Sequence, residues 1–198
     1  MTEAGGRTRR RGVALEEAIL SAAADELTAS GYAGLTMDKV AARAGTNKNA
    51  IYRRWPNRLA LGVAAYKRLA TTVSPPDTGE LRGDVLELLR RANRYWSSPL
   101  GVILRDLMAA AGGAAEFLSQ LQEQSDDAVA APWLAVLERA VGRGEAAPEA
   151  LRPRVAMVAV VLLRNEFVVR GAPSAPDDVL VEIVDEVFLP LVRRHQGT

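Results

Sequence analysis

The chain has 198 residues, of which 48% are hydrophobic and 25% are charged, a balance that is typical of a globular protein. It contains no cysteine, which excludes disulfide bonds and thiolate metal sites and favours a reducing, cytoplasmic setting. The longest apolar run, from Val155 to Leu163, is far shorter than the ~20 residues that a membrane span needs. No apolar stretch follows the basic N-terminus, so we expect neither a membrane partner nor a secretory signal.

The net charge of +1 is unevenly distributed along the sequence. Residues 1–58 carry ten Lys and Arg against six Asp and Glu, whereas residues 59–198 carry fifteen against eighteen. From Lys39 to Arg58 there are six basic residues and no acidic residue. This composition is typical of a surface that faces a polyanion, although a merely solvated helix face has it too.

Residues 1–12 are rich in Gly and Arg and lack periodicity, so they are predicted to form a flexible basic arm. Apolar residues then recur at helical spacing from Leu15 to Leu27. This spacing predicts a first helix that places the four acidic residues of that stretch on its other faces and ends at Gly31.

A short second helix is predicted after Thr36, which can cap it. Leu35 and Val40 have the spacing of a hydrophobic staple across its start. Gly45 is predicted to end this helix, because glycine adopts the left-handed conformation that helix ends require.

Asn47 can cap a third short helix, whose predicted inward residues include Ala50 and Ile51. Pro56 prevents simple continuation, and Asn57 can cap a fourth helix. Two short helices joined by a tight glycine turn form a helix-turn-helix, a motif that places its second helix in the major groove of DNA.

The rest of the chain has helical patterns separated by Pro and Gly, with no strand pattern and no repeat of fixed length. The predicted helices span residues 58–72, 79–96, 99–111, 114–143, 149–171 and 177–194. We therefore predict an all-α fold with a three-helix DNA-binding domain over residues 13–57. A larger helical domain is predicted over residues 58–198.

The stretch LTMDKVAARAGTNKNAIYRRWPNRLAL, residues 35–61, resembles the DNA-binding motif of the TetR family of transcriptional regulators. The shared pattern is a Thr, a short Ala-rich helix, Ala-Gly, a polar recognition helix, an aliphatic-Tyr pair, an aromatic residue and a cation opening the next helix. Thr46 and Asn49 depart from it, since the family more often has an aliphatic residue and a glycine there. The resemblance implies a ligand-responsive regulator, a repressor, that binds a palindromic double-stranded DNA operator as a homodimer and is released by a small-molecule effector.

By the family pattern, the residues that would face the groove are Lys48, Asn49, Tyr52 and Arg53. Those that would touch phosphates are Thr36, Tyr52, Arg54 and Arg58. Lys and Arg suit guanine edges, Asn suits adenine, and hydroxyls and helix-start cations suit phosphates. For Tyr52 the alternative is partial core packing, and for Arg53 and Arg54 it is solvation. The predicted DNA-binding residues are Thr36, Asn47, Lys48, Asn49, Tyr52, Arg53, Arg54 and Arg58.

An effector pocket, largely apolar, is predicted inside the larger domain, because aromatic and a few polar residues fall on helices that should converge. The candidate residues are Tyr95, Trp96, Arg105, Met108, Phe117, Trp133 and Asn165. Plain core packing is the alternative for each of them. Asn165 is the strongest candidate, since it interrupts an apolar face where a buried amide would need a partner. By analogy with the family, effector binding would shift the helix that begins near Asn57 and spread the two recognition helices.

The last two predicted helices are expected to form the homodimer as a four-helix bundle. The final helix has an apolar stripe wide enough to meet more than its own core, and the preceding helix is apolar nearly all round. A monomeric core is the alternative. The predicted interface residues are Leu162, Val169, Leu180, Ile183, Val184, Val187, Phe188 and Leu191.

Catalysis finds little support in the sequence. The single histidine, His195, lies near the C-terminus, and no nucleophile elbow, phosphate-binding loop or zinc-protease motif occurs. We therefore expect no enzyme activity, no metal and no cofactor. A helical protein-interaction adaptor and, less well supported, a small helical enzyme are the alternatives to a DNA-binding regulator.

Overall fold

The computed structural model describes residues 4–69, 74–112 and 126–193, with the backbone alone for residues 4–11 and 126–129. Within these ranges every regular element is helical, which confirms the all-α prediction. No helix in the described ranges is long and apolar enough to cross a membrane. His195 and Phe117 lie outside the described residues.

The chain divides into two compact units. The described residues of the first unit are those up to Leu69 and those from Val102 to Gly112. The second unit holds residues 74–101 and 126–193. The first unit extends beyond the predicted boundary after Asn57, because the helix that follows it packs along the first helix.

The first unit contains four complete helices and most of a fifth. The complete helices are α1 (Ala4–Gly34), α2 (Met37–Arg43), α3 (Lys48–Tyr52) and α4 (Arg58–Leu69). The fifth is α6 (Pro99–Ala110), which belongs to the first unit from Val102 onward. The prediction of a flexible arm is wrong from Ala4 onward, because the backbone there already belongs to α1. Extending an existing helix avoids the cost of nucleation, and arginine is a good helix former. Gly31 interrupts α1 as predicted, with φ of 64°.

The core of the first unit forms where α1 lies against α2 and α4. Leu27, Leu35, Ile51 and Leu61 are fully buried there. Gly62 of α4 allows a close approach: a Cβ at this position would lie 2.9 Å from Leu107 Cδ2 and 3.2 Å from Tyr32 Cε2. A larger residue at position 62 would require the side chains of Leu107 and Tyr32 to shift.

The second unit is built around α5 (Leu81–Ser97), which contacts most of the other helices of that unit. The others are α7 (Asp126–Gly142), a 3-10 turn (Pro148–Ala150), α8 (Pro153–Ala156), α9 (Val158–Val168), α10 (Asp177–Glu182), a π-helical segment (Ile183–Phe188) and α11 (Leu189–Val192). We refer to residues 177–192 together as the C-terminal helix. The fully buried residues of the second unit include Leu89, Leu137, Leu163 and Phe188.

Two predicted helices of this unit are less regular than their sequence pattern. The helix predicted over 149–171 is divided, because Pro153 opens α8 at a position that proline favours and Arg152 before it is extended. The C-terminal helix widens to a π-helix, since Pro190 has no amide to donate to the Glu186 carbonyl and its ring crowds that carbonyl. The helix predicted over 114–143 is described only from Asp126 onward.

Side chains of α5 hold the C-terminal helix and the segment before it. Arg82 donates two hydrogen bonds to Asp185, of 2.7 and 2.8 Å, and Arg90 donates two of 2.7 Å to Asp177. Asn93 exchanges two hydrogen bonds with the backbone of Ala175. Bidentate pairs of this kind fix both distance and orientation.

Because of these two ion pairs, we expect acid to lower the free energy of unfolding of the second unit. Hydrogen bonds from Arg82 and Arg90 hold the pKa values of Asp185 and Asp177 below the ordinary value of an aspartate. Because the folded pKa is depressed, the stabilisation is complete above the unfolded pKa of about 3.9 and is lost as the pH falls through the folded pKa. We expect Asp185→Asn to flatten the fall in unfolding free energy below about pH 4, measured by urea denaturation at several pH values.

The matched control is Asp178→Asn, since Asp178 accepts a hydrogen bond from the Val179 amide and its substitution removes the same charge. We expect the control to keep the acid sensitivity of the wild type. Equal flattening by both variants would contradict the role of the Arg82–Asp185 pair.

Candidate nucleic-acid interface

Three short polar side chains begin the helices of this region, as predicted. Thr36 Oγ1 accepts a hydrogen bond from the Lys39 amide at 3.3 Å, and Asn47 Oδ1 accepts one from the Ala50 amide at 3.0 Å. Asn57 Oδ1 accepts one from the Ala60 amide at 2.8 Å. These caps satisfy amides that a helix start leaves without a partner. They set where α2, α3 and α4 begin.

The turn between α2 and α3 has the predicted glycine geometry. Gly45 has φ of 62°, a conformation that side chains with a Cβ rarely adopt. The following amide, of Thr46, donates to the Ala41 carbonyl at 2.9 Å and closes the turn. Ala50 and Ile51 of α3 are buried, so α3 rests on the core by one face.

A buried carboxylate on α1 holds α2 in place, and the sequence pattern missed it. Glu26 is only 6% exposed, although the helical pattern placed it on an outer face. Its Oε1 lies 2.7 Å from Arg43 Nη2 and 2.9 Å from Arg43 Nε. Lys39 Nζ lies 3.9 Å from the other oxygen. In the sequence, the excess of cations on α2 indicates that an acidic partner is needed. It does not show which acidic residue that partner is.

Four of the predicted DNA contacts form one exposed face of α3 and the residue after it. Lys48, Asn49, Tyr52 and Arg53 are all exposed, and their spacing of one, three and one residues puts them opposite the buried side of the helix. Tyr52 is 48% exposed, so about half of its surface is accessible on this face. This face combines two cations, an amide and a phenol, the groups that suit base edges and phosphates.

Lys48 forms an ion pair across the turn with Asp38 of α2. The distance from Lys48 Nζ to Asp38 Oδ1 is 2.9 Å. The hydrogen bond to Asp38 raises the pKa of the Lys48 ammonium, so the ammonium stays protonated. Both side chains are more than half exposed, and solvent therefore weakens the pair.

Arg54 differs from the exposed phosphate ligand that was predicted. Its Nη1 donates to the Ala50 carbonyl at 3.1 Å and its Nη2 to the Gly12 carbonyl at 3.3 Å. Glu16 Oε2 lies 3.8 Å from its Nε. These contacts tie the end of α3 to α1, because the guanidinium turns inward to carbonyls that need donors.

Arg58 is exposed at the first position of α4, where a cation can meet a phosphate. Its guanidinium also lies over the ring of Tyr32, 4.5 Å from the centroid. This cation–π contact holds the side chain near the start of α4.

Two family models match the chain. The model described as "Bacterial regulatory proteins, tetR family" matches residues 19–65, and that described as "Tetracyclin repressor-like, C-terminal domain" matches residues 75–187. The chain belongs to the TetR family. The first match covers the helix-turn-helix, and the second covers much of the second unit.

Relatives and solved structures agree with this assignment. The "DNA-binding transcriptional repressor TetR" of Mycobacteroides abscessus is 31% identical over 185 residues, 92% of this chain and 96% of the relative. An uncharacterised HTH-type transcriptional regulator of Mycobacterium tuberculosis is 32% identical over 84% of this chain and 82% of its own. A crystal structure of a TetR-family transcription regulator has a TM-score of 0.68 at 24% identity, covering 91% of this chain and 99% of that one, and shows the shared fold.

The chain is therefore a DNA-binding transcriptional regulator and not an enzyme, which confirms the predicted class. TetR-family regulators bind DNA and ligands and are typically dimers. The adaptor and enzyme alternatives do not fit this family.

The residues predicted to bind an effector in this TetR-family chain do not all fall in one unit. Tyr95, Trp96 and Trp133 lie in the second unit, on α5 and α7, and both tryptophans are buried. Arg105 and Met108 belong to the first unit. The expectation of a buried amide at Asn165 is wrong, because its position on α9 faces outward and the residue is exposed.

The residues predicted to form the TetR-family dimer divide into two groups. Leu180, Ile183, Val184 and Phe188 are buried within the single chain, where they belong to its core. Their helix contacts α5 and α9, and these four residues have at most 7% of their surface exposed in the single chain. The exposed members are Val169, Val187 and Leu191, and Leu162 is half-buried.

Proposed function

We propose that this regulator is a repressor that binds a palindromic operator in double-stranded DNA as a homodimer and leaves it when a small-molecule effector binds. The observation that carries the proposal is the exposed polar face of α3. A regulator of this kind works where the DNA is, which in a bacterium is the cytoplasm.

In this proposal α3 is the recognition helix. Lys48 and Asn49 lie in its first turn, and the docking geometry of helix-turn-helix proteins brings that end of the helix to the base edges. Lysine suits guanine O6 and N7, and asparagine suits adenine N6 and N7. Arg53, at the other end, is exposed and can reach a base edge or a phosphate.

Phosphate contacts come from the helix starts around α3. Thr36 and Asn47 stand at the N-termini of α2 and α3, where free amides attract anions, and Tyr52 offers an exposed hydroxyl. Arg58 begins α4 and is held over Tyr32. Such contacts set orientation and general affinity without reading sequence. In this proposal Arg54 does not contact a phosphate. Its hydrogen bonds to backbone carbonyls connect the end of α3 to α1.

The homodimer would use the exposed apolar residues of α9 and the C-terminal helix. Val161, Val168 and Val169 on or beside α9 are exposed, and Val169 is 75% exposed. Val187 and Leu191 are the exposed apolar residues of the C-terminal helix, whose π-helical segment contacts α9. An exposed apolar surface shared by two adjacent helices is typical of an oligomer interface. A second copy with the same surface would complete a four-helix bundle.

The effector site would lie within the second unit near its aromatic residues. Trp96 and Phe167 stack with ring centroids 5.7 Å apart and an angle of 25° between the planes. Tyr95 is half-buried beside Trp96, and burial raises the pKa of its hydroxyl. Aromatic walls with one polar group suit an apolar effector. In this proposal the exposed position of Asn165 removes it from the effector contacts.

Substitution of a base-reading cation and of a phosphate-binding cation should affect DNA binding differently. We expect Lys48→Ala to weaken binding to the operator by about 1–3 kcal/mol per half-site, because one base contact is lost, and to leave binding to scrambled DNA nearly unchanged. We expect Arg58→Ala to weaken binding to both DNAs and to reduce the slope of log affinity against log salt by about two per dimer. The measurement is fluorescence anisotropy of both duplexes across a salt series. Equal losses on both duplexes for Lys48→Ala would contradict its base-reading role.

A charge placed on the apolar surface should break the homodimer. We expect Val169→Asp to give monomers at micromolar concentration in light scattering, since a carboxylate would be buried without a partner. Val102→Asp is the matched control, because Val102 is an exposed valine of the first unit. A wild-type chain that is monomeric under these conditions would contradict the proposed homodimer.

An apolar effector should report through Trp96. We expect a screen of apolar small molecules to find compounds that quench tryptophan fluorescence and release the operator in the same concentration range. Trp96→Phe should lose most of that quenching, whereas Trp55→Phe, in the first unit, should keep it. Compounds that release DNA with unchanged quenching in Trp96→Phe would contradict this site.

A further inference from the structure

Asp38 is the one carboxylate in a long basic stretch of the sequence. Between Glu26 and Asp77 it is the only acidic residue, and it stands in the first turn of α2. Its side chain is 76% exposed, and its Oδ1 lies 2.9 Å from the ammonium of Lys48. A surface that binds a polyanion therefore keeps a negative charge beside the first residue of its recognition helix.

A carboxylate in this position weakens general attraction to DNA. It repels phosphates and neutralises one of the cations that would release counterions. An advantage that offsets this loss has to come from what the carboxylate does to Lys48. Lysine has a flexible four-carbon side chain, and a free ammonium at the surface samples many orientations.

The ion pair limits those orientations. The ammonium has three donors, and the bond to Asp38 uses one of them, which leaves two for DNA. Because Asp38 is on α2 and Lys48 is on α3, the bond holds the ammonium between the two helices of the helix-turn-helix. Ordering of a side chain before binding lowers the entropy that is lost on binding.

A simpler role for Asp38 is stabilisation of the start of α2. A carboxylate in the first turn interacts favourably with the helix dipole. That role requires only the position of the residue. It predicts no dependence of DNA specificity on the pairing with Lys48, so the two roles can be separated.

We propose that Asp38 is a specificity-determining residue that positions the Lys48 ammonium for one base pair and so increases sequence discrimination while lowering overall affinity for DNA. The proposal rests on the base-reading role proposed for Lys48. Asp38 acts through Lys48 and does not itself contact the base. Its removal should therefore make binding tighter and less selective.

The test compares wild type, Asp38→Asn, Lys48→Ala and the double variant. The duplex that wild type selects from a random library is the reference, and a set of duplexes with single base-pair changes gives the discrimination at each position. We expect Asp38→Asn to bind random duplex at least threefold more tightly at low salt. Discrimination should fall at least fivefold at the base pair that Lys48→Ala also affects. In the Lys48→Ala background, Asp38→Asn should change discrimination by less than twofold.

Asp106→Asn is the control for charge, since it removes an exposed carboxylate from α6 of the same unit. It should leave discrimination unchanged, and circular dichroism should show that every variant is folded. If Asp38→Asn tightens binding to all duplexes by one factor, with or without Lys48, Asp38 acts by charge alone and the proposal is wrong. If it lowers discrimination equally in the Lys48→Ala background, Asp38 reads the base itself, which also overturns the proposal. If Lys48→Ala leaves discrimination unchanged, the base-reading role of Lys48 fails, and this proposal fails with it.

Discussion

The helix-turn-helix depends on the ion pair between Glu26 of α1 and Arg43 of α2. The helices α2 and α3 have seven and five residues, and isolated helices shorter than about 12–15 residues are marginal in water. The orientation of α2 and α3 must therefore come from their contacts with the rest of the first unit. A hydrogen bond and a close ion-pair contact from Arg43 to a carboxylate that is 6% exposed fix α2 on α1. The Gly45 turn and the buried Ile51 then set the direction of α3. The polar face of α3 is positioned by a residue that does not belong to it.

Features that depend on neighbouring residues could be predicted from the sequence. The caps at Thr36, Asn47 and Asn57 and the left-handed Gly45 are local, since each is fixed by residues within a few positions. Glu26 was missed because helical spacing identifies the apolar face and assigns acids to the others. Its partner is 17 residues away, and a single sequence does not show which cation returns to it. The hydrogen bond from Arg54 to Gly12 was missed for the same reason, because the two residues are 42 positions apart in the sequence.

In the second unit the limit of prediction is different. A wide apolar stripe predicted that the C-terminal helix serves both a core and an interface, but a stripe cannot show which residues serve which. The structure assigns Phe188 to the core and leaves Leu191 49% exposed. The error at Asn165 is related, because the face of α9 that it interrupts is exposed in the single chain and does not belong to its core. Pro190 was visible in the sequence, yet its effect is a π-helical widening and not an end, since packing against α5 and α9 holds the helix together.

The central claim is that the exposed face of α3 binds a specific DNA site. The most direct measurement is a gel shift of the wild-type protein with the DNA upstream of its own gene, in the presence of excess random duplex. We predict a saturable shift at nanomolar to micromolar protein, with two chains bound per site, and its loss in a variant with Lys48, Asn49 and Arg53 changed to alanine. A shift that the triple variant reproduces at the same concentration would contradict the account. So would the absence of any shift that survives the competitor.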